Sequence, residues 1–215
     1  MKQRCDTVVN MGRPRTRDWD ELRRELLEAA GRLLAQEGPQ ALSTRRVAHE
    51  VGTSTTAVYN LFQDKAGLLR AMFLDGFAAL EERFADVPVD GDPEADLLAL
   101  GYAYRAAARA NPHRYDLMFG RPIADFLPSE ADLARIQGTF DTLVRAVARC
   151  VACGRFAPTD PYDTATHLSA LVHGLASLEL RGALGEEERA EHQWRVALEA
   201  ACRGHRAVTW TAVPG

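Results

Sequence analysis

The sequence predicts an all-α fold of about nine helices: an N-terminal three-helix unit followed by a larger helical domain. Three observations predict it. Apolar residues recur at spacings of three and four along most of the chain, and capping side chains, prolines and glycines punctuate that pattern at helix-sized intervals. The longest alternating, strand-like run is 207–213, which reads as a fraying tail. At 215 residues, 47% hydrophobic and 26% charged, the chain can bury a substantial core without disulfide or metal staples.

Over 18–37, Leu22, Leu26, Ala30, Leu33 and Leu34 form an amphipathic stripe that ends at Gly38-Pro39. Ser43 caps a short second helix with Val47, Ala48 and Val51 inward, closed at Gly52. Thr53-Ser54 makes a turn, Ser54 caps again, and 55–61 forms a short third helix. Asp64 then caps a longer helix whose stripe runs from Leu68 through Met72, Phe77 and Leu80 to Phe84, ending before Pro88. The stretch 85–92, with Pro88 and Gly91, is the expected internal boundary, and helix four should pack on both sides of it. Asp92-Pro93, Asn111-Pro112 and Asp160-Pro161 each put a capping side chain before a proline at the first helical position, where its missing N–H costs nothing. Ser129 with Asp132 three residues on opens a further helix, and Gly154, Gly185 and Gly204 supply stops. The expected organisation is an arm over 1–17, a three-helix unit over 18–63, a larger domain over 64–204 and a tail over 205–215.

The net charge of −4 hides an uneven distribution. Residues 1–70 carry 12 Lys+Arg against 9 Asp+Glu, a balance of +3, and residues 71–215 carry 14 against 21, a balance of −7. Lys2, Arg4, Arg13, Arg15 and Arg17 make a basic arm ahead of the first helix, although 24 Arg against 2 Lys in an Ala-rich chain also fits a compositional bias. No apolar run approaches the roughly 18 residues of a membrane span, and the apolar stretch near the N-terminus is too short for a secretory signal, so a cytoplasmic chain with reduced cysteines is expected. No metal or cofactor is expected. Cys150 and Cys153 form a CxxC near a helix end, without a second pair or a His cluster at zinc spacing, and they read as buried thiols. No HExxH, GxGxxG, GxxxxGK or GxSxG occurs, which leaves a helical enzyme or a protein adaptor as the lesser alternatives to a binding protein.

Two short helices joined by a glycine-containing turn, behind a longer helix and a basic arm, meet the physical needs of a helix-turn-helix. The second, Ser54-Thr55-Thr56-Ala57-Val58-Tyr59-Asn60-Leu61-Phe62, buries Val58 and Leu61 or Phe62 and presents small hydroxyls that allow close approach to base edges. The stretch LSTRRVAHEVGTSTTAVYNLFQDKAGLLRAMF, 42–73, resembles the DNA-binding signature of the TetR family of bacterial transcriptional regulators. The resemblance rests on Ser43, Thr44 and Arg45 at the opening of helix two, on Ala48 and Gly52, on Ser54 to Thr56, on Tyr59 and Phe62, and on Lys65. It departs at Leu61, where a His or Tyr is common, and at Thr53, where an apolar residue often sits.

That resemblance implies a homodimeric repressor on a double-stranded, palindromic DNA operator, released by a small molecule. Thr44 and Tyr59 would touch phosphates, Arg45 would reach the groove edge, Ser54, Thr55, Thr56 and Asn60 would face the DNA, and Lys65 would hold backbone phosphate. Arg13, Arg15 and Arg17, alternating around Pro14 and Thr16, suit a minor-groove arm or a solubilising tail. NPHRYDLMFGRP (111–122) and LVHGLASLELRG (171–182) resemble a C-terminal subtype of the family with a Trp shortly before a His-Gly pair; no Trp closely precedes His173-Gly174 here. Dimerisation is expected through the last two helices, 161–183 and 186–203. An apolar or aromatic effector would be held among Tyr102, Tyr115, Met118, Phe119, Phe140, Val144 and His173, residues that equally suit a filled core and hence a regulator without a ligand. Helix four is expected to carry the signal between the two halves.

Overall fold

A computed structural model describes residues 18–38, 40–89, 91–120 and 126–206. Among them are nine helices: α1 (Trp19–Glu37), α2 (Thr44–Val51), α3 (Thr55–Phe62), α4 (Lys65–Ala85), α5 (Pro93–Ala110), α6 (Pro112–Phe119), α7 (Glu130–Ala152), α8 (Pro161–Leu180) and α9 (Glu187–His205). Arg13, Arg15, Arg17 and the 207–213 tail lie outside the described residues.

The caps explain where the helices begin. Asp18, Ser43, Ser54, Asp64, Asp92, Asn111 and Asp160 each accept a backbone N–H of the following first turn through the side chain. Ser129 and Asp132 form a reciprocal capping box at α7. Asp132 is also buried and ion-paired to Arg70 of α4 at 2.8 Å. Burial alone would raise its pKa, but the Ser129 hydrogen bonds and the Arg70 guanidinium outweigh burial and hold the carboxyl below its ordinary value.

The apolar stripes close two regions of core. Leu26, Val47, Val58, Phe62, Leu68 and Met72 join α1 to α4 at the N-terminal end, and complete burial of a side chain such as Phe62 contributes about 1.5–3 kcal/mol. Val147, Phe156, Ala165 and Leu168 fill one part of the larger domain, and Leu80, Tyr104, Trp194 and Leu198 another. Helix α4 contributes to both ends, Met72 to the first and Leu80 to the second. Helix α6 also bridges, packing on α1, α4 and α5 while Leu117 rests on the N-terminal core. Two helices, not one, therefore join the halves.

A buried ionic cluster ties α5, α8 and α9. The Arg105 guanidinium donates through Nε and Nη2 to Glu179 at 2.7–3.1 Å, and Trp194 Nε1 donates to the same carboxylate at 2.6 Å. Glu187 closes the cluster from the first turn of α9 by pairing with Arg105 and Arg109. Ordered structure continues past the boundary expected at 204. His205 ends α9, its carbonyl accepts Ala157 N–H at 2.8 Å, and Arg206 makes an antiparallel bridge with Phe156.

Candidate nucleic-acid interface and regulatory cavity

The helix-turn-helix is set by three local devices. Gly52 takes the left-handed conformation at φ 67°, ψ 38°, so its N–H turns back to the carbonyls of Ala48 and His49 and ends α2. Ser54 Oγ then accepts Ala57 N–H at 3.1 Å to start α3. At the far end Gln63 adopts φ 68°, ψ −58°, a γ-turn closed by Asp64 N–H to the Phe62 carbonyl at 2.8 Å. Gly67 is needed beside that turn, because a Cβ there would lie 1.9 Å from the Phe62 carbonyl oxygen. Sequence reasoning passed over both Gln63 and Gly67, since Gln63 caps α3 through its backbone N–H and not its side chain, and the constraint comes from main chain folding back on main chain.

Helical geometry then decides what α3 displays. With Val58 and Phe62 buried, positions 56, 59 and 60 share the opposite face. Thr56, Tyr59 and Asn60 are exposed there, Tyr59 at 51%. Thr55 is half-buried on the flank, and Ser54 is exposed with its oxygen already committed to the cap. Arg45 is exposed and Thr44 half-buried at the start of α2, while Lys65 sits half-buried in the first turn of α4. Arg46 beside them is tied to Glu37 by a 2.6 Å ion pair. α3 itself carries no charged residue, so it can approach an anionic surface without a carboxylate to desolvate.

The larger domain holds a cavity of about 440 Å³ that is open on one side. Phe77, Leu80 and Phe84 of α4 form one wall, and Ile136, Phe140 and Leu143 of α7 another. α5, α8 and α9 complete it with Tyr104, Val172 and Leu198, and Phe119 enters from the end of α6. Leu133, 51% exposed, and the exposed Gln137 stand at its mouth. Of the seven sequence candidates, Phe119 and Phe140 line this space. Tyr102 does not, because it lies on the outer face of α5 at 37% exposure. Nor does Val144, one residue along α7 from Leu143 and on the neighbouring face.

Tyr115 and His173 stand behind the wall and satisfy one another, with the Tyr115 hydroxyl 2.7 Å from His173 Nδ1. Burial raises the pKa of Tyr115 and of Tyr104. Met118 packs on Gly76, where a Cβ would lie 2.6 Å from its sulfur, and lines a smaller space with Tyr115 and Phe119. On α7 sequence reasoning found Phe140 and missed Leu133, Ile136, Gln137, Thr139 and Leu143. The signal was the polar Gln137 and Thr139 set within the apolar run of Leu133, Ile136, Phe140 and Leu143.

Cys150 and Cys202 are buried thiols, pushed up by burial to about 12 and about 11, whereas Cys153, expected to be buried with Cys150, is exposed because it falls just past the end of α7. Among the described residues no cluster of three His, Cys, Asp or Glu is placed to hold a metal ion, and no helix is long and apolar enough to cross a membrane.

Comparison with known proteins matches this architecture at both ends. Residues 26–72 match the family described as bacterial regulatory proteins, tetR family, and residues 97–201 match the tetracyclin repressor-like C-terminal domain. HTH-type transcriptional regulators of Mycobacterium bovis and Mycobacterium tuberculosis are 27% identical over 138 residues, which is 63% of this chain and 58% of those proteins. The chain thus aligns with little more than half the length of these curated relatives. A protein of unknown function from Rhodococcus sp. RHA1 superposes at TM-score 0.71 with 28% identity, covering 94% of this chain and all of that one. The TetR family transcriptional regulator PfmR from Thermus thermophilus shares the fold at TM-score 0.68 and 21% identity, over 83% of this chain and 97% of that one. With its helix-turn-helix segment and its C-terminal domain both matched, the chain belongs to the TetR family of bacterial regulatory proteins.

Proposed function

We propose that the protein is a cytoplasmic, homodimeric DNA-binding repressor that leaves a palindromic operator when a largely apolar small molecule fills its cavity. The observation that carries this reading is the placement of α4. Its first turn follows α3 directly across the γ-turn at Gln63, and its later turns, at Phe77, Leu80 and Phe84, wall the cavity. An occupant that favours one setting of α4, and of α6 through Phe119, changes the aim of α3. By linkage, DNA must then weaken the occupant by the same factor by which the occupant weakens DNA. α8 and α9 supply the dimer surface in this reading, supported by the exposed Leu178 and Val196. Two copies are needed because one short helix reads too few base pairs, and paired recognition helices fit successive major grooves about 34–36 Å apart.

Thr56 and Asn60 read bases, Tyr59, Thr44 and Lys65 hold phosphates, and Arg45 works at the groove edge. Selection of genomic fragments followed by footprinting tests the proposal. A palindromic protected site bound by a dimer is expected, and enrichment of no sequence by folded, dimeric protein overturns it.

A further inference from the structure

We infer that the occupant of the cavity is an uncharged, mainly apolar molecule bearing a neutral hydrogen-bonding group, a hydroxyl or carbonyl, that meets the Thr139 hydroxyl. The inference rests on the reading above and names the chemistry of its effector. Among the described residues that line the cavity there is no Lys, Arg, His, Asp or Glu. The two ionisable groups in the wall are Tyr104 and Cys202, and burial raises both, Cys202 to about 11, so both are neutral at neutral pH. A carboxylate or an ammonium entering this space loses its hydration and meets no opposite charge.

The polar part of the wall is equally specific. Thr139 is 6% exposed, lines the cavity and makes no hydrogen bond to a described residue, although other hydroxyls on nearby helices do so readily. Thr142 and Thr166 each return theirs to the carbonyl four residues back, at 3.1 and 2.9 Å. The Thr139 oxygen is not among the fully occluded, unbonded side-chain atoms of the described residues, so it keeps access to the open space. Ser169 of α8 is a second hydroxyl of the wall without such a bond. Buried polar groups are nearly always partnered, so the buried Thr139 hydroxyl, held open to the cavity, is suited to an occupant that supplies the partner, with the half-buried Ser169 as a second contact.

The experiment uses the full chain, with pyrene as a neutral fluorescent hydrocarbon displaced by 1-decanol, decanoate or decylammonium at neutral pH. Expected is displacement by 1-decanol at least about 30-fold tighter than by either ion. Thr139→Val, which keeps the shape and deletes the hydroxyl, should weaken 1-decanol about 3- to 10-fold and leave pyrene unchanged. Leu143→Trp should remove binding of every probe with the helical spectrum retained; Ser169→Phe serves as the second filling variant. Equal or tighter binding of either ion, an unchanged 1-decanol affinity in Thr139→Val, or no binding of any probe overturns the inference. Footprinting on DNA separates the two proposals: operator binding with the wrong charge preference removes this one alone, and neutral-probe binding without an operator removes the other.

Discussion

Gly67→Ala should damage the protein far more than one methyl group suggests. The new Cβ would stand 1.9 Å from the Phe62 carbonyl oxygen, whereas a carbon–oxygen contact needs about 3.3 Å, so the two must part by roughly 1.4 Å. Neither side can give cheaply. The carbonyl accepts Asp64 N–H in the γ-turn, and Gly67 N–H is held 2.7 Å from Asp64 Oδ1 in the cap of α4. Overpacking of this kind costs about 1–3 kcal/mol, and loss of a turn hydrogen bond adds about 1 kcal/mol. For a chain of this size the sum corresponds to a fall in melting temperature of roughly 5–15 °C.

Gly31→Ala supplies the contrast. Gly31 sits within α1 with nothing within 4 Å of its would-be Cβ, so the substitution should add about 0.5–1 kcal/mol through helix preference. Both are read by far-UV circular dichroism on heating, at one protomer concentration. Below its melting temperature the Gly67 variant should also bind operator more weakly, because the γ-turn sets the angle between α3 and α4. A Gly67→Ala protein that melts with the parent would refute the geometric argument.

Removing the Glu179 carboxylate should leave the buried Arg105 with the more distant, exposed Glu187 as its counter-charge and Trp194 N–H unpaired, so Glu179→Ala is expected to cost about 3 kcal/mol by urea unfolding. Burial raises the Glu179 pKa, but Arg105 and Trp194 lower it further, and the net position is below the ordinary value. The folded state therefore holds this proton less tightly than the unfolded chain, and Asp132 behaves likewise. Their stabilisation is complete above the usual carboxylate range and is lost as pH falls through the depressed values; a melting temperature that failed to decline on acidification would contradict the assignment. On DNA, Lys65→Ala should reduce affinity for all sequences and lower the salt slope by about 1, whereas Thr56→Ala and Asn60→Ala should alter preference at single base pairs by about 1–3 kcal/mol. Titrations at several salt concentrations, on matched and altered sites, separate the two kinds of contact.

The helix starts were legible because their causes are local. An Asp or Asn before Pro both caps and begins a helix, and Asp92, Asn111 and Asp160 do so. The outward face of α3 was legible for the same reason, since Val58 and Phe62 orient Thr56, Tyr59 and Asn60 by simple periodicity. The cavity wall was not. Periodicity says which face of a helix is apolar, and leaves open whether that face meets a side chain or a space. Thus Tyr115 and His173, a good pocket pair by type, turn to one another, and Leu143 takes the place given to Val144. The bridging role of α6 was hidden in the same way, because Leu117 and Phe119, two residues apart, reach opposite halves of the molecule.

The cavity also gives hydrostatic pressure a handle on this protein. Compression favours whichever state eliminates enclosed or loosely filled space, and unfolding removes all of it. The walls are drawn from α4 to α9, so they cannot collapse inward without shifting most of the domain. The empty protein should accordingly give way at lower pressure than its melting temperature would suggest, and an occupant that takes up the volume should make the same fold stiffer and less compressible. Volume change on unfolding, measured with and without an occupant, would thus report how well a candidate molecule fills the space, independently of how tightly it binds.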